Sequence, residues 1–200
     1  MLTTVPVAKQ QPGRKGAWVP RLAADRDVPA IERLIERSVR ELHPAHYSQE
    51  QIEASIGTVF GVDRQLIRDR TYFVVEDGGK LVGCGGWSRR ASLCGSDAMR
   101  AVEDPLLDPL KDPARIRAFF VHPSWVRRGI GSAIMAASER AIRDSGFRDV
   151  VIVATLAGVP LYASFGYRAT ERYEVAVPGG PPIAVVRMEK PALGAVEAPQ

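Results

Sequence analysis

Residues 119–135 read FFVHPSWVRRGIGSAIM. An apolar run that looks like the end of a strand meets a turn bearing Pro123, Arg127 and Arg128. Gly129 and Gly131 then open a helix-like pattern. A strand that feeds such a turn leaves backbone N–H groups without partners at the positive end of a helix dipole, where anions bind. Gly129 and Gly131 have no side chains to obstruct close approach, Ser132 adds a hydroxyl donor, and Arg127 and Arg128 add charge. The pattern is not GxxxxGK followed by Ser or Thr, the nucleoside triphosphate loop. Nor is it GxGxxG, because Ile134 stands where the third glycine belongs. Taken alone, GxG is equally compatible with glycines that only let a helix lie close on a strand.

Around this stretch the periodicities alternate. GIGSAIMAASERAIRDSGF carries Ile130, Ile134, Ala137 and Ala141 at helical spacing, and Gly146 is placed as its stop. DVVIVAT is a short continuous apolar run suited to a buried strand. GVPLYASFGY predicts a brief helix with Pro160 in its first turn and Gly166 at its end. Upstream, ARIRAFFVH is a strand, and TYFVVEDGGKLVGCGGW is a hairpin turning at Asp77-Gly78-Gly79. Nearer the start, AWVPRLA predicts a short edge strand. Asp25 or Asp27 caps a helix through Ser38, with Val28, Ile31, Leu34, Ile35 and Val39 as its apolar face. SQEQ resembles a capping box that opens a second helix at Ser48. Two last strands, Ala169 to Val177 and Ile183 to Lys190, flank PGGPP. The result is an α/β domain with a mixed sheet.

The chain has 200 residues, 46% hydrophobic and 25% charged, which suits one globular domain over 17–190 between flexible tails at 1–16 and 191–200. A net charge of +4 favours an anionic partner. The basic residues are scattered, with no aromatic-basic array of the nucleic-acid-binding kind. Cys84 and Cys94 form neither a CxxC pair nor a disulfide framework, so no metal site is signalled and a reducing cytoplasm is expected. No apolar run is long enough to span a membrane, and MLTTVPVAKQQPGRKG lacks the apolar core of a secretory signal.

Read together, VHPSWVRRGIGSAI, VVIVAT and LYASFGY resemble the acyl-coenzyme A binding half of the GNAT N-acetyltransferase superfamily, most strongly over residues 114–168. The resemblance implies a mostly antiparallel central sheet with flanking helices and a splayed pair of parallel strands. It implies acetyl-coenzyme A as the acyl donor, without a metal. Phe119, Phe120 and Val121 would line the pantetheine arm. The pyrophosphate would lie on Arg127, Arg128, Gly129, Ile130, Gly131 and Ser132. Two departures stand out: Val126 replaces the family's Gln or Arg at the start of the cradle, and Thr155 and Gly158 replace an Asn and an Ala. Leu161-Tyr162 and Gly166-Tyr167 keep the family spacing.

The resemblance assigns Tyr162 as general acid for the departing thiolate, and a phenol that is neutral at pH 7 is chemically suited to that role. It also places a backbone N–H, at Val121, on the carbonyl oxygen. The general base stays open among Glu76, His43, His46 and His122, since ARIRAFFV carries no carboxylate. Cys84 is read as an inert buried thiol rather than an acyl carrier. The acceptor would be a primary amine of a small molecule or peptide, bound by the N-terminal half near His43, His46, Tyr47, Trp87 and Trp125. Arg89 and Arg90 could meet an acidic acceptor or simply be solvated. A non-catalytic coenzyme A sensor is the rival reading. The C-terminal hairpin is a candidate for pairing across a homodimer.

Overall fold

The computed structural model describes residues 18–99 and 104–193. The tail expected at 1–16 and most of the one expected at 191–200 lie outside these residues. Leu193 is buried, and its N–H donates to the Arg148 carbonyl at 2.6 Å, so the ordered contacts run past Lys190.

Among the described residues, seven strands form one sheet: β1 (Arg21–Leu22), β2 (Tyr72–Asp77), β3 (Lys80–Ser88), β4 (Ala114–Val121), β5 (Val150–Thr155), β6 (Arg168–Val177) and β7 (Gly180–Lys190). Their order is β1-β2-β3-β4-β5-β7-β6. Every neighbouring pair is antiparallel except β4 and β5, which are parallel. That arrangement is the mixed, mostly antiparallel sheet expected from the sequence. β1 lies at the edge, consistent with Pro20 just before it.

Among the described residues, five helices cover the sheet: α1 (Val28–Leu42), α2 (Gln49–Ser55), α3 (Arg64–Arg68), α4 (Ile130–Asp144) and α5 (Val159–Ser164). α1 runs four residues past the expected end, because the loop begins only at His43. Its buried face, Val28, Ile31, Leu34, Ile35 and Val39, is the one read from spacing. Each such aliphatic side chain contributes roughly 1.5–3 kcal/mol on burial. These residues join Tyr72, Val74, Cys84 and Phe120 in one core cluster on one side of the sheet. α2 opens with the capping box anticipated at Ser48, whose hydroxyl accepts from Gln51 N–H at 3.2 Å while the Gln51 side chain accepts from Ser48 N–H at 2.9 Å.

On the other side of the sheet, α4 buries Ile130, Ile134, Met135, Ser138 and Ile142. Ala137 and Ala141 are only half-buried, so the apolar face is rotated from the Ile130-Ala141 stripe expected. The longer Met135 and Ile142 side chains reach the strands, and the alanines lie at the margin. α3 was not anticipated: five residues are too few for a periodicity to show, although Asp63 caps it by accepting from Gln65 N–H at 3.1 Å.

Candidate active site

The turn at 126–129 is shaped by two left-handed residues, Arg127 (φ 61°) and Gly129 (φ 84°), the second being the N-cap of α4. Only at Gly129 is that conformation free of a Cβ penalty. Gly129 has no side chain with which to cap α4. Ala133 N–H donates to the Gly129 carbonyl at 2.9 Å, so the N–H groups of Ile130, Gly131 and Ser132 precede the helix's own hydrogen-bond ladder. Arg127, Arg128 and Ser132 are exposed beside them. The outer wall is pinned: Trp18 Nε1 donates to the Arg128 carbonyl at 2.7 Å, Trp125 Nε1 donates to Asp77 Oδ2 at 3.0 Å, and the Arg128 guanidinium lies 5.7 Å from the centre of the Trp125 ring. The two glycines have different roles. A Cβ on Gly131 would meet Leu161 Cδ2 at 3.1 Å, so Gly131 makes room for α5, whereas Gly129 sets the turn.

β4 and β5 pair only over Ala114–Ile116 and Val150–Ile152. Beyond Ile152, β5 stays in register with β7 out to Thr155. β4 instead bulges against β3, where Ala118 and Phe119 stand opposite the single residue Gly85. Ala118 takes a left-handed φ of 56°, a strain of about 1–2 kcal/mol for a residue with a Cβ. Two features hold it: Tyr72 Oη donates to the Ala118 carbonyl at 2.9 Å, and Gly85 leaves space that a Cβ would take 2.6 Å from the Phe119 ring. His122 N–H donates to the Val82 carbonyl at 2.9 Å, on the β3 side. By the alternation of a strand, the peptide groups of Phe119 and Val121 face the gap between β4 and β5.

Tyr162 lies at this gap. Its ring packs edge-on against Phe119 (6.0 Å between centres) and Tyr167 (6.2 Å). Gly158 exists beneath it for a steric reason, since a Cβ there would stand 2.9 Å from Tyr162 Cε2. Burial raises the Tyr162 phenol well above its ordinary pKa, so the group is neutral at physiological pH. Among the described residues its hydroxyl forms no hydrogen bond.

A cavity of about 80 Å³ opens between β4 and β5 and continues towards the N-terminal half. Phe119, Phe120, Thr155 and Tyr162 line one end of it, and His43, Phe60, Cys94 and Arg117 the other. His43 is the one open candidate for a base that lines this cavity. It is buried, with its Nδ1 unpartnered, and burial lowers its pKa to about 4. The Glu76 carboxylate is bonded to Arg21 at the surface. His46 is exposed, and His122 Nδ1 accepts from Ser124 N–H at 3.1 Å, capping a short 3-10 turn.

Of the expected acceptor-site residues, Trp87 is instead a core side chain packed on Phe147, at 6.0 Å between ring centres. Tyr47 acts as a clasp, its hydroxyl donating to the Ala184 carbonyl at 2.7 Å and accepting from Leu156 N–H at 3.0 Å. Arg90 is held by Asp69 at 2.6 Å and is not a solvated cation. Cys84 is fully buried, its thiol pushed up to about 12 by burial, as befits an inert side chain.

The residue that sequence reasoning missed is Arg117. It is 3% exposed, and its guanidinium donates to Asp63 Oδ2 at 3.0 Å and to the carbonyls of Ser92 (2.8 Å) and Gly95 (2.7 Å). An arginine inside an apolar strand run was the available signal. Its partner, 54 positions away, was not legible.

A family model described as acetyltransferase (GNAT) domain matches residues 68–169. An uncharacterized N-acetyltransferase of Bacillus subtilis, YjcF, is 26% identical over 160 residues, which cover 78% of this chain and 99% of that protein. Among solved structures, a GCN5-related N-acetyltransferase from Rhodopseudomonas palustris superposes with a TM-score of 0.65 at 21% identity, covering 88% of this chain and 96% of that one. PaiA N-acetyltransferase from Thermoplasma acidophilum, solved in complex with coenzyme A, gives 0.61 at 13% identity, with 88% and 99% coverage. The structural likenesses carry the fold. With the family match over half the chain, laid on the uncapped turn at Gly129 and the parting of β4 from β5, they lead to one assignment: the chain belongs to the GNAT acetyltransferase family.

Proposed function

We propose that the protein transfers an acetyl group from acetyl-coenzyme A directly to a primary amine of a small molecule or peptide. Tyr162 would give its proton to the departing thiolate. The observation that carries this reading is the β4–β5 gap: the strands stop pairing after Ile116 and Ile152, and Phe119, Thr155 and Tyr162 line the cavity that opens there. Backbone N–H groups of Ile130, Gly131 and Ser132, with Arg127 and Arg128 beside Gly129, suit the pyrophosphate. The peptide groups of Phe119 and Val121, flanking Phe120, suit the amide-rich pantetheine arm. Because backbone groups do most of this work, Val126 in place of Gln or Arg weakens the grip without removing it.

In this scheme the thioester carbonyl oxygen lies on the Val121 N–H. The amine attacks as a neutral nucleophile, a carbon–nitrogen bond forms and the carbon–sulfur bond breaks. Burial keeps the Tyr162 hydroxyl protonated until the thiolate appears, and the strained bulge at Ala118 aims the strand's donors into the gap. The catalytic domain spans 17–190 and works in the cytoplasm.

The test is a thermal melt with and without acetyl-coenzyme A, followed by an amine screen that reads thiol release. Ligand stabilisation together with amine-dependent release supports the reading. Stabilisation without release from any amine makes the protein a coenzyme A sensor, and no stabilisation removes the cofactor assignment.

A further inference from the structure

The far end of the cavity carries chemistry that the transfer scheme does not use. Val59, Phe60, Leu93, Val175, Ile183 and Val185 contribute apolar side chains to its wall, beside polar surface that includes His43, Cys94 and Arg117. No carboxylate side chain lines it among the described residues, and its one cation, Arg117, is neutralised by Asp63 and donates to two backbone carbonyls. An acceptor bringing a second ammonium into this space would find no counter-charge. One bringing a carboxylate would have to compete with Asp63. The neighbouring groove, which shares Phe60 and Gly61 with the cavity, does carry Glu32, Glu36 and Asp97. Glu36 is bonded to Arg40, Glu32 lies 3.9 Å from the Arg64 guanidinium, and the Asp97 carboxylate accepts from Arg64 N–H at 3.0 Å, so each of the three has a partner.

Beside the Tyr162 hydroxyl, the cavity wall holds a second polar side chain with an atom left unpartnered, and this one is buried. His43 follows the last turn of α1, wedged edge-on between Tyr47 (5.7 Å) and Phe60 (5.1 Å), and its Nδ1 is buried with no partner. Ordinarily a buried polar atom finds a partner, so the imidazole beside this cavity keeps a nitrogen that no described residue has claimed. Resting on the acetyl-transfer reading, we propose that this end is the acceptor site for primary amines with an uncharged, apolar body, and that the His43 imidazole takes the amine proton through water. The titratable and charged groups around it are His46 and Tyr47 on its own loop, Cys94 after β3, Arg117 on β4 and Tyr162 on α5.

The step balances. Once the carbon–nitrogen bond forms, the acceptor nitrogen is cationic and far more acidic than a free ammonium, and its proton passes through water to neutral His43. Tyr162 protonates the thiolate, and the His43 proton returns through water to the tyrosinate, so amine and thioester give amide and thiol.

The experiment compares kcat/KM for isoamylamine, putrescine and γ-aminobutyrate, which share a four-carbon reach and differ in the far group. The uncharged amine should lead both charged ones by on the order of 100-fold. A charged amine turned over as well as isoamylamine overturns the proposal. If only other amines, such as peptide N-termini, are acetylated, this inference falls and the transfer reading stands. If no amine is acetylated although acetyl-coenzyme A binds, the transfer reading itself falls. For His43, the His43→Ala variant should lose about 10²-fold in kcat with KM for isoamylamine nearly unchanged, and added imidazole should restore part of the loss. His43→Gln, which fills the space, should show the same loss without rescue. Full activity in either variant, or a His43→Ala loss that imidazole does not reverse, removes the base role.

Discussion

Gly83 in β3 lies under the first turn of α4, and replacing it with alanine tests how firmly the cradle is seated on the sheet. The added Cβ would stand 2.3 Å from Ile130 Cγ2 and 3.2 Å from Ile134 Cδ1. Unstrained carbon contacts are about 3.5–4.0 Å, so the helix start and the strand must separate by about 1.2–1.7 Å. Ile130 and Ile134 are buried, leaving little slack. Overpacking of this kind costs about 1–3 kcal/mol, and at about 2–4 °C per kcal/mol for a chain of this size Gly83→Ala should lower Tm by about 2–12 °C. Because Ile130 directly follows Gly129, the displaced N–H groups should also weaken acetyl-coenzyme A binding. Ile130→Ala removes the clashing methyl at its own cost of about 2–5 kcal/mol. The double variant should therefore be more stable than the sum of the two losses by at least about 1 kcal/mol, measured by urea unfolding. Additive losses, or a Gly83→Ala protein with unchanged Tm and affinity, would refute the steric reasoning.

The remaining predictions are independent of that contact. Gly129→Ala imposes a left-handed φ on a residue with a Cβ, so stability should fall by about 1–2 kcal/mol, and calorimetry should show weaker acetyl-coenzyme A binding. Cys84, buried with its thiol raised to about 12, should resist alkylation in the folded protein and carry no acetyl adduct by mass spectrometry after incubation with acetyl-coenzyme A. His43 sits at about 4 against roughly 6.5 in the unfolded chain, so the unfolded state binds the extra proton between these values. Stability should be full above pH 6.5 and fall as pH drops to 4, by on the order of 3 kcal/mol, and His43→Phe should remove that part of the dependence of Tm on pH.

Much of the fold was legible because it is written in local periodicities. The α1 stripe, the Ser48 capping box and the glycine turn at 78–79 each follow from a few adjacent residues. The cradle was legible for the same reason, since Arg127 to Ser132 are contiguous. What failed were features set by distant partners. The buried face of α4 turns on how Met135 and Ile142 meet the strands, and Arg117 makes sense only beside Asp63. The bulge at Ala118 depends on Gly85 across the ladder, and nothing in ARIRAFFV marks it. His43 stood out in sequence only as one of several histidines. Its distinction is burial against Phe60 without a hydrogen bond for Nδ1.

The central claim is that Tyr162 donates the proton that releases the thiolate at the end of the β4–β5 gap. Tyr162→Phe keeps the ring that packs on Phe119 and Tyr167 and removes only the hydroxyl, so steady-state kinetics with an accepted amine isolate that proton. The account predicts a fall in kcat of about 10-fold or more with the Kd for acetyl-coenzyme A unchanged. A Tyr162→Phe enzyme with undiminished kcat would contradict it.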